Sequence, residues 1–262
     1  MFQAAIIGVN GWAANYLPHL SRLEKEGKLH FAAAVIRNPG KNPEVTENLR
    51  SQGVKIYPTQ EEMYADLHPD LVCIPTGIEF HEEMTLRALE HDCNVLLEKP
   101  AAPSVAAVDR MIKAERRHPG CFAAVGFQHV YDRNIHHFKK SFSGGLGKPQ
   151  LRIECENGTI TWQQNSPWQI ASLSGEILES GPYGDPIAQM FDDIADKLNN
   201  PSKFCCTLEI AKEHTKIIEK LHRDFSIIPV PAEQVKRIPE TGQLIFPDPS
   251  HQFEVRNFMP VR

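Results

Sequence analysis

The chain has 262 residues, 41% of them hydrophobic and 23% charged, with a formal net charge of -5. That length supports one large domain or two modest ones with genuine cores, and the slightly acidic balance leaves no basic excess to attract nucleic acid or an anionic membrane. No apolar run is long enough to span a bilayer, and the N-terminus opens on a strand-like run rather than a basic leader, so the cytoplasm is the expected compartment.

"QAAIIG" (3–8) is a short apolar run closed by glycine, and Trp12, Tyr16, Leu17, Leu20 and Leu23 follow at a spacing that predicts one buried helix face. "LHFAAAVI" (29–36) reads as a second strand, broken by Asn38-Pro39-Gly40, and "VKIYP" as a third, with "EEMYADL" as the helix after it. "DLVCIPT" (70–76) is the fourth strand, 79–91 a helix with Met84, Ala88 and Leu89 on one face, "NVLLEK" the fifth strand, 104–117 a helix and "CFAAVGFQ" (121–128) the sixth strand. Strands apolar on both faces and separated by helices imply right-handed crossovers and a parallel sheet covered on both sides. The expected fold class is therefore α/β, a doubly wound Rossmann-type sheet over residues 1–122, followed by a reduced α+β domain over 123–262.

The second part has a different texture. Asn157-Gly158 within "LRIECENGTITW" (151–162) is a hairpin signal, and "QIASLSGEIL" a further strand pair, so a sheet is expected from 151–162 and 169–178 with 121–131 alongside. Asp185-Pro186 predicts a capped helix start, with Ile187, Met190, Phe191, Ile194, Ala195 and Leu198 on its buried stripe. A second helix over 207–223 carries Ile210, Ala211, His214, Ile217, Ile218 and Leu221 on its expected inner face, His214 as a core histidine rather than a ligand. "SIIPVP" and "QLIFP" are short extended pieces. The six cysteines, Cys73, Cys93, Cys121, Cys155, Cys205 and Cys206, have no C-x-x-C spacing and read as reduced thiols.

Two strand ends carry chemistry. Gly8 to Ala14, "GVNGWAA", stands where a dinucleotide fold brings backbone N–H groups to a pyrophosphate at a helix N-terminus. Gly8 fills the first position of G-x-G-x-x-G/A, Asn10 replaces the second glycine, Gly11 and Trp12 follow, and Ala13 fills the permissive third; an ordinary strand–helix turn is the alternative. The end of strand two offers Ile36, Arg37 and Asn38 where an NAD site carries a ribose-binding carboxylate, so NADP is favoured over NAD; Arg37 stacked on adenine or facing solvent is the competing reading. "NVLLEKPAAPS" is odd in another way, because a buried strand finishes abruptly on Glu98-Lys99-Pro100. Ligands of such sheets bind beyond the C-terminal strand ends, which argues for function at Lys99 over a surface ion pair with Glu98.

Together "IIGVNGWAANYLPHL", "DLVCIPTGIEFHEEMTLRALEHDCNVLLEKPAAPS" and "AAVGFQHVYDRNIHHFKKSFSGGLGKPQ" resemble the glucose–fructose oxidoreductase / inositol dehydrogenase / rhizopine catabolism family (Gfo/Idh/MocA). "PIAQMFDDIADKLNNP" and "TLEIAKEHTKIIEKLH" are similar to its closing helices. The resemblance implies an NAD(P) cofactor in the first domain and a sugar, polyol or similar small molecule over the nicotinamide. Lys99 would assist proton transfer beside the reacting carbon, and Pro100, through a cis peptide, would hold it. Thr76, Gly77 and His81 would line the cofactor after strand four, with Glu98, Lys99, Pro100 and Gln128 at the next two strand ends. A lysine suits the role because nearby charge or desolvation lowers its proton affinity, as it cannot for arginine.

The resemblance is incomplete. "GGLGKPQ" passes straight into "LRIECENG", and the second-domain helix that carries the family's Asp and His partners is not visible there. His129, His136 and His137 in "HVYDRNIHH" match nothing catalytic, and adjacent histidines on a helix point apart, against a metal site. The leading expectation is an NAD(P)-dependent oxidoreductase acting on a small hydroxylated substrate, slowed by the missing helix. A dinucleotide-binding sensor without turnover and a remnant that binds nothing are the alternatives. An open-faced second sheet points to a homo-oligomer.

Overall fold

Apolar runs too short for helices, each followed by an amphipathic segment, build the first unit. The computed structural model describes residues 1–131, 150–155, 158–163, 167–182, 184–224, 236–237 and 244–245. Strands β1 (Gln3–Ile7), β2 (His30–Val35), β3 (Lys55–Tyr57), β4 (Leu71–Ile74), β5 (Asn94–Leu97) and β6 (Ala123–Val125) form a six-stranded sheet in the order β3-β2-β1-β4-β5-β6. Its pairings are all parallel. Ala4 to Ile7, Leu71 to Ile74 and Val95 to Leu97 are buried along their whole runs, as a sheet covered on both faces requires. Strand order reverses between β1 and β4, and that reversal opens the crevice where such folds take ligands.

Helices α1 (Leu17–Lys25), α2 (Pro43–Ser51), α3 (Gln60–Asp66), α4 (Ile78–Glu90) and α5 (Val105–Glu115) flank this sheet. Thr59 caps α3 by accepting from the Glu62 N–H, and Ser104 caps α5 by accepting from the Ala107 N–H. Helix α2 is unexpected from the apolar pattern, although its end signals are present. The Asn42 side chain accepts from the Val45 N–H, Pro43 stands in the first turn, and Thr46 and Leu49 are buried. Trp12 departs from its expected stripe: it is 47% exposed while Tyr16, Leu20 and Leu23 are buried. The reason is local, since Gly11–Asn15 is a 3-10 turn with a tighter angular period than an α-helix.

Asp185 caps α6 (Pro186–Asn199), accepting from the N–H groups of Ile187 and Ala188 with Pro186 in the first turn. Met190, Phe191, Ile194 and Ala195 are buried, and Ile187 and Leu198 partly so, as expected. Phe191 meets the edge of Tyr16 at 5.0 Å between ring centroids and stacks on His19 at 5.4 Å. We expect Phe191→Ala to cost about 3–5 kcal/mol of unfolding free energy in urea titrations, from lost transfer energy plus the cavity left behind. Asp192 pairs with Arg22 at 3.0 Å and Lys28 at 2.9 Å. Burial opposes its ionisation, yet the hydrogen bonds from Lys28 and Arg22 outweigh burial and hold the carboxyl below its usual range. A depressed carboxyl stabilises the fold above its unfolded pKa and loses that contribution as pH falls through the folded value. Thermal melts of Asp192→Asn should therefore lie below wild type near neutrality and converge with it as the pH falls through the depressed pKa of the folded carboxyl.

Helix α7 (Leu208–Asp224) differs from expectation in its rotation. Leu208, Ala211 and Thr215 are buried, whereas Ile210, Ile217, Ile218 and Leu221 are exposed. In this rotation Lys212 pairs with Asp109 on α5 at 2.5 Å and Glu209 with Arg116, just beyond the end of α5, at 3.5 Å. His214 is half-buried against Phe127, with ring centroids 4.8 Å apart. Just before α7, the Val125 N–H donates to the Cys206 carbonyl at 2.8 Å and Ala124 bridges Thr207, closing the free edge of β6.

Two compact units result, Met1–Lys140 with Gly184–Leu221, and Ser141–Tyr183 with His222–Arg262. The boundary expected at 122 is therefore displaced: β6, α6 and most of α7 belong to the first unit. In the second, β7 (Gln150–Cys155), β8 (Gly158–Gln163), β9 (Trp168–Ser172) and β10 (Ile177–Gly181) form an antiparallel sheet in the order β10-β9-β8-β7. Residues 121–131 contribute nothing to it, because β6 pairs with β5. Gly158 pairs with Cys155 as a strand residue, while Asn157 lies outside the described residues. Two-residue strands β11 (Lys236–Arg237) and β12 (Leu244–Ile245) pair with each other, the second within "QLIFP"; "SIIPVP" and residues 147–149 lie outside the described residues, while Gln150 to Arg152 belong to β7. No described helix is long and apolar enough to cross a membrane.

Candidate functional site

The C-terminal tips of β1, β2 and β4 surround an apolar cavity of about 340 Å³, lined by Gly8, Arg37, Gln60, Thr76, Gly77 and Phe80 among others. Gly8 has φ +86, a left-handed conformation that side chains seldom adopt, and its N–H donates to the Val35 carbonyl at 3.0 Å. A Cβ there would point at Thr76 Cγ2, 3.4 Å away, and would fill the space between the two strand tips. The residues thus form a cradle that bare backbone keeps open, and it fits a phosphate-bearing ligand approaching the turn. Ala13 is buried under the turn, while Asn10 is exposed and accepts from Asn42 Nδ2 at 3.2 Å.

Arg37 stands exposed at the tip of β2 and makes no ion pair among the described residues. Its guanidinium is available to an anion at the cavity rim. Asn38 precedes the 3-10 turn Pro39–Lys41 and is exposed; it does not line the cavity. Gln60 and Phe80, which the sequence reading passed over, do so from the first turns of α3 and α4. Their signal was positional, since helices that follow parallel strands begin at this end of the sheet.

The second cluster is at the tip of β5. Glu98 is buried, 6% exposed, yet its carboxylate is fully engaged. Oε1 accepts from Trp12 Nε1 at 2.7 Å and from the Tyr16 hydroxyl at 2.7 Å, and Oε2 accepts from the Lys99 backbone N–H at 2.9 Å. Burial, and then the neighbouring Glu98 charge, push the Tyr16 hydroxyl well above its ordinary pKa, so it stays a donor. Gly126 closes the network from β6, where any Cβ would come within 2.6 Å of the Tyr16 oxygen. Tyr16 and Gly126 were missed in the sequence because nothing local marks them; only the sheet brings them to Glu98.

The Glu98 carboxylate faces inward and ties the first turn to Lys99. His81 is likewise buried, 1% exposed. Its Nδ1 lies 2.9 Å from the Pro100 carbonyl and its Nε2 3.1 Å from the Thr76 carbonyl, so it braces two strand tips from below instead of lining a surface. Lys99 is exposed, its peptide to Pro100 is cis, and its ammonium makes no ion pair with Glu98. The ammonium stands 5.9 Å from the Trp12 ring centroid. Gln128 is half-buried and opens the short turn Gln128–Val130 after β6. Asp132, His136 and His137 lie outside the described residues. No group of three metal-binding side chains forms among the described residues.

Residues 2–127 match the model of an oxidoreductase family with an NAD-binding Rossmann fold, GFO_IDH_MocA. An inositol 2-dehydrogenase from Burkholderia ambifaria is 30% identical over 152 residues, which cover 57% of this chain and 44% of the relative. The chain thus spans less than half the length of that relative. Among solved structures, a dehydrogenase from Clostridium difficile superposes with a TM-score of 0.71 at 15% identity, over 86% of this chain and 99% of the other. A 3-ketoreductase from Actinomadura kijaniata in complex with NADP superposes with a TM-score of 0.68 at 12% identity, over 85% of this chain and 97% of the other. Identities this low establish a shared fold.

Proposed function

We propose, on the premise that residues 2–127 belong to the Gfo/Idh/MocA oxidoreductase family, that this chain is an NAD(P)-dependent oxidoreductase of small hydroxylated substrates. The observation that carries the reading is the cradle at Gly8, a left-handed turn with bare backbone facing an apolar cavity. Gly8, Gly11, Thr76 and Gly77 would hold the dinucleotide, and bound there it supplies the acceptor or donor of a hydride. The lysine at the β5 tip then has one task, to hold or pass the proton of the substrate hydroxyl, with its backbone fixed by Glu98 and the peptide to Pro100. The inositol dehydrogenase relative and the NADP-bound ketoreductase support a sugar or polyol as the substrate class.

NADP is the proposed preference. Ile36 removes the ribose carboxylate, and Arg37 is exposed and unpaired among the described residues at the cavity rim. A charge-assisted hydrogen bond of about 1.5–3 kcal/mol, discounted for exposure, corresponds to roughly tenfold in affinity. Calorimetric titrations should show NADP binding about tenfold more tightly than NAD, and Arg37→Ala should erase the difference. Tighter binding of NAD to the wild-type chain would reverse the assignment. Cytoplasmic location and homo-oligomeric assembly complete the proposal, the latter supported by exposed Ile177 and Leu178 on β10.

A further inference from the structure

We infer that Trp12 is a positioning residue for Lys99, an aromatic platform that the buried Glu98 carboxylate locks in place. The inference rests on the proposed proton-transfer role of Lys99 and assigns to the first turn a second duty beyond holding phosphate.

Trp12 presents an unusual combination. It is 47% exposed, so packing leaves about half its surface open. Its orientation comes from one hydrogen bond, Nε1 to Glu98 Oε1 at 2.7 Å, made to an acceptor that is itself 6% exposed. Hydrogen bonds to a buried carboxylate are strong, and breaking one leaves charge uncompensated. The same oxygen accepts from buried Tyr16, and the other oxygen from the Lys99 backbone N–H. One carboxylate therefore fixes both the indole and the peptide from which the lysine side chain springs. The lysine ammonium, free of any ion pair among the described residues, stands 5.9 Å from the indole centroid, at the outer range of a cation–π contact. A long flexible side chain at an exposed strand tip gains a preferred direction this way. The turn that receives the dinucleotide and the lysine that serves the substrate are coupled through Glu98, so the two ends of the site stay in register.

Reductive methylation with carbon-13 formaldehyde gives each lysine a dimethylammonium signal that keeps its charge. The Lys99 signal, assigned with Lys99→Ala, should carry a ring-current shift in the full chain without added dinucleotide. Trp12→Ala should move it to the position of an unstructured lysine. Trp12→Phe, which keeps a ring and loses the tether, should move it in the same direction by a smaller amount, and it decides the matter should the alanine variant fold poorly. A signal unmoved in these variants overturns the proposal. In turnover, Trp12→Ala should lower kcat about tenfold with Lys99 present and have no further effect in the Lys99→Ala background, because contacting residues acting through one another are not additive. Multiplicative losses would mean that Trp12 acts independently of Lys99. The two readings fail separately: loss of the oxidoreductase assignment appears as absent dinucleotide binding with the Lys99 shift intact, and loss of this one as an unmoved signal with binding intact.

Discussion

Replacing Lys99 by Ala should lower kcat by about 10²–10⁴ and leave dinucleotide affinity nearly unchanged, the signature expected of a group proposed to act in proton transfer and not in binding. The geometry supports this split. Lys99 is exposed at the β5 tip, outside the cavity residues at β1, β2 and β4, and its ammonium has no ion pair to lose among the described residues. Its backbone N–H, which does bond Glu98, survives the substitution. Steady-state rates and calorimetry on the same preparation check both halves. An unchanged kcat would reduce Lys99 to a structural ornament of the strand end, and a large loss of dinucleotide affinity would make it a cofactor ligand instead.

Gly8→Val should act in the opposite sense, weakening dinucleotide binding while the fold persists. Left-handed backbone costs a side chain about 1–2 kcal/mol, and a β-branched residue is the least tolerant of it. The new Cβ would sit 3.4 Å from Thr76 Cγ2, and its methyl groups would occupy the approach of a phosphate to the turn. Together these should weaken binding by about two orders of magnitude, with Gly8→Ala losing about one, given tenfold per 1.4 kcal/mol. Circular dichroism and a thermal melt establish that the variant is folded. Wild-type affinity in folded Gly8→Val would remove the turn from the site.

Much of the first unit was legible because its physics is local. Runs such as Leu71 to Ile74 are apolar on both faces, and the six strands appear where that pattern predicts, within two residues at each end except the C-terminal end of β6, which stops three residues early. The cap at Asp185 was equally plain, as aspartate before proline leaves few other readings. What escaped is what depends on the third dimension. Helix α2 hid behind Asn38-Pro39-Gly40, a turn signal strong enough to mask the Asn42-Pro43 start that follows it. The rotation of α7 could not be read from its own apolar positions, because the face it buries, Leu208, Ala211 and Thr215, is set by what the rest of the first unit packs against it.

At the site, the cradle at Gly8 and the lysine at the strand tip were visible, since glycine and a charged residue are conspicuous at the end of a buried run. The roles of Glu98 and His81 were not. Both are polar residues beside a presumed ligand face, and sequence offers no way to tell a side chain turned outward from one turned in. Burial and the carbonyl and hydroxyl partners make the distinction. Tyr16 shows the same limit: on a helical stripe it reads as core, yet its hydroxyl is one of three donors to the carboxylate that seats Lys99.

The separation of an enzyme from a silent dinucleotide binder rests on a single-turnover experiment. The full chain, saturated with NADP, is mixed with a panel of sugars and polyols, and the absorbance of reduced nicotinamide is followed in the stopped flow, with Lys99→Ala run in parallel. The expected result is a slow rise in absorbance with at least one substrate that depends on Lys99. Saturated dinucleotide binding with no absorbance change for any member of the panel, or a change that persists undiminished in Lys99→Ala, would contradict it.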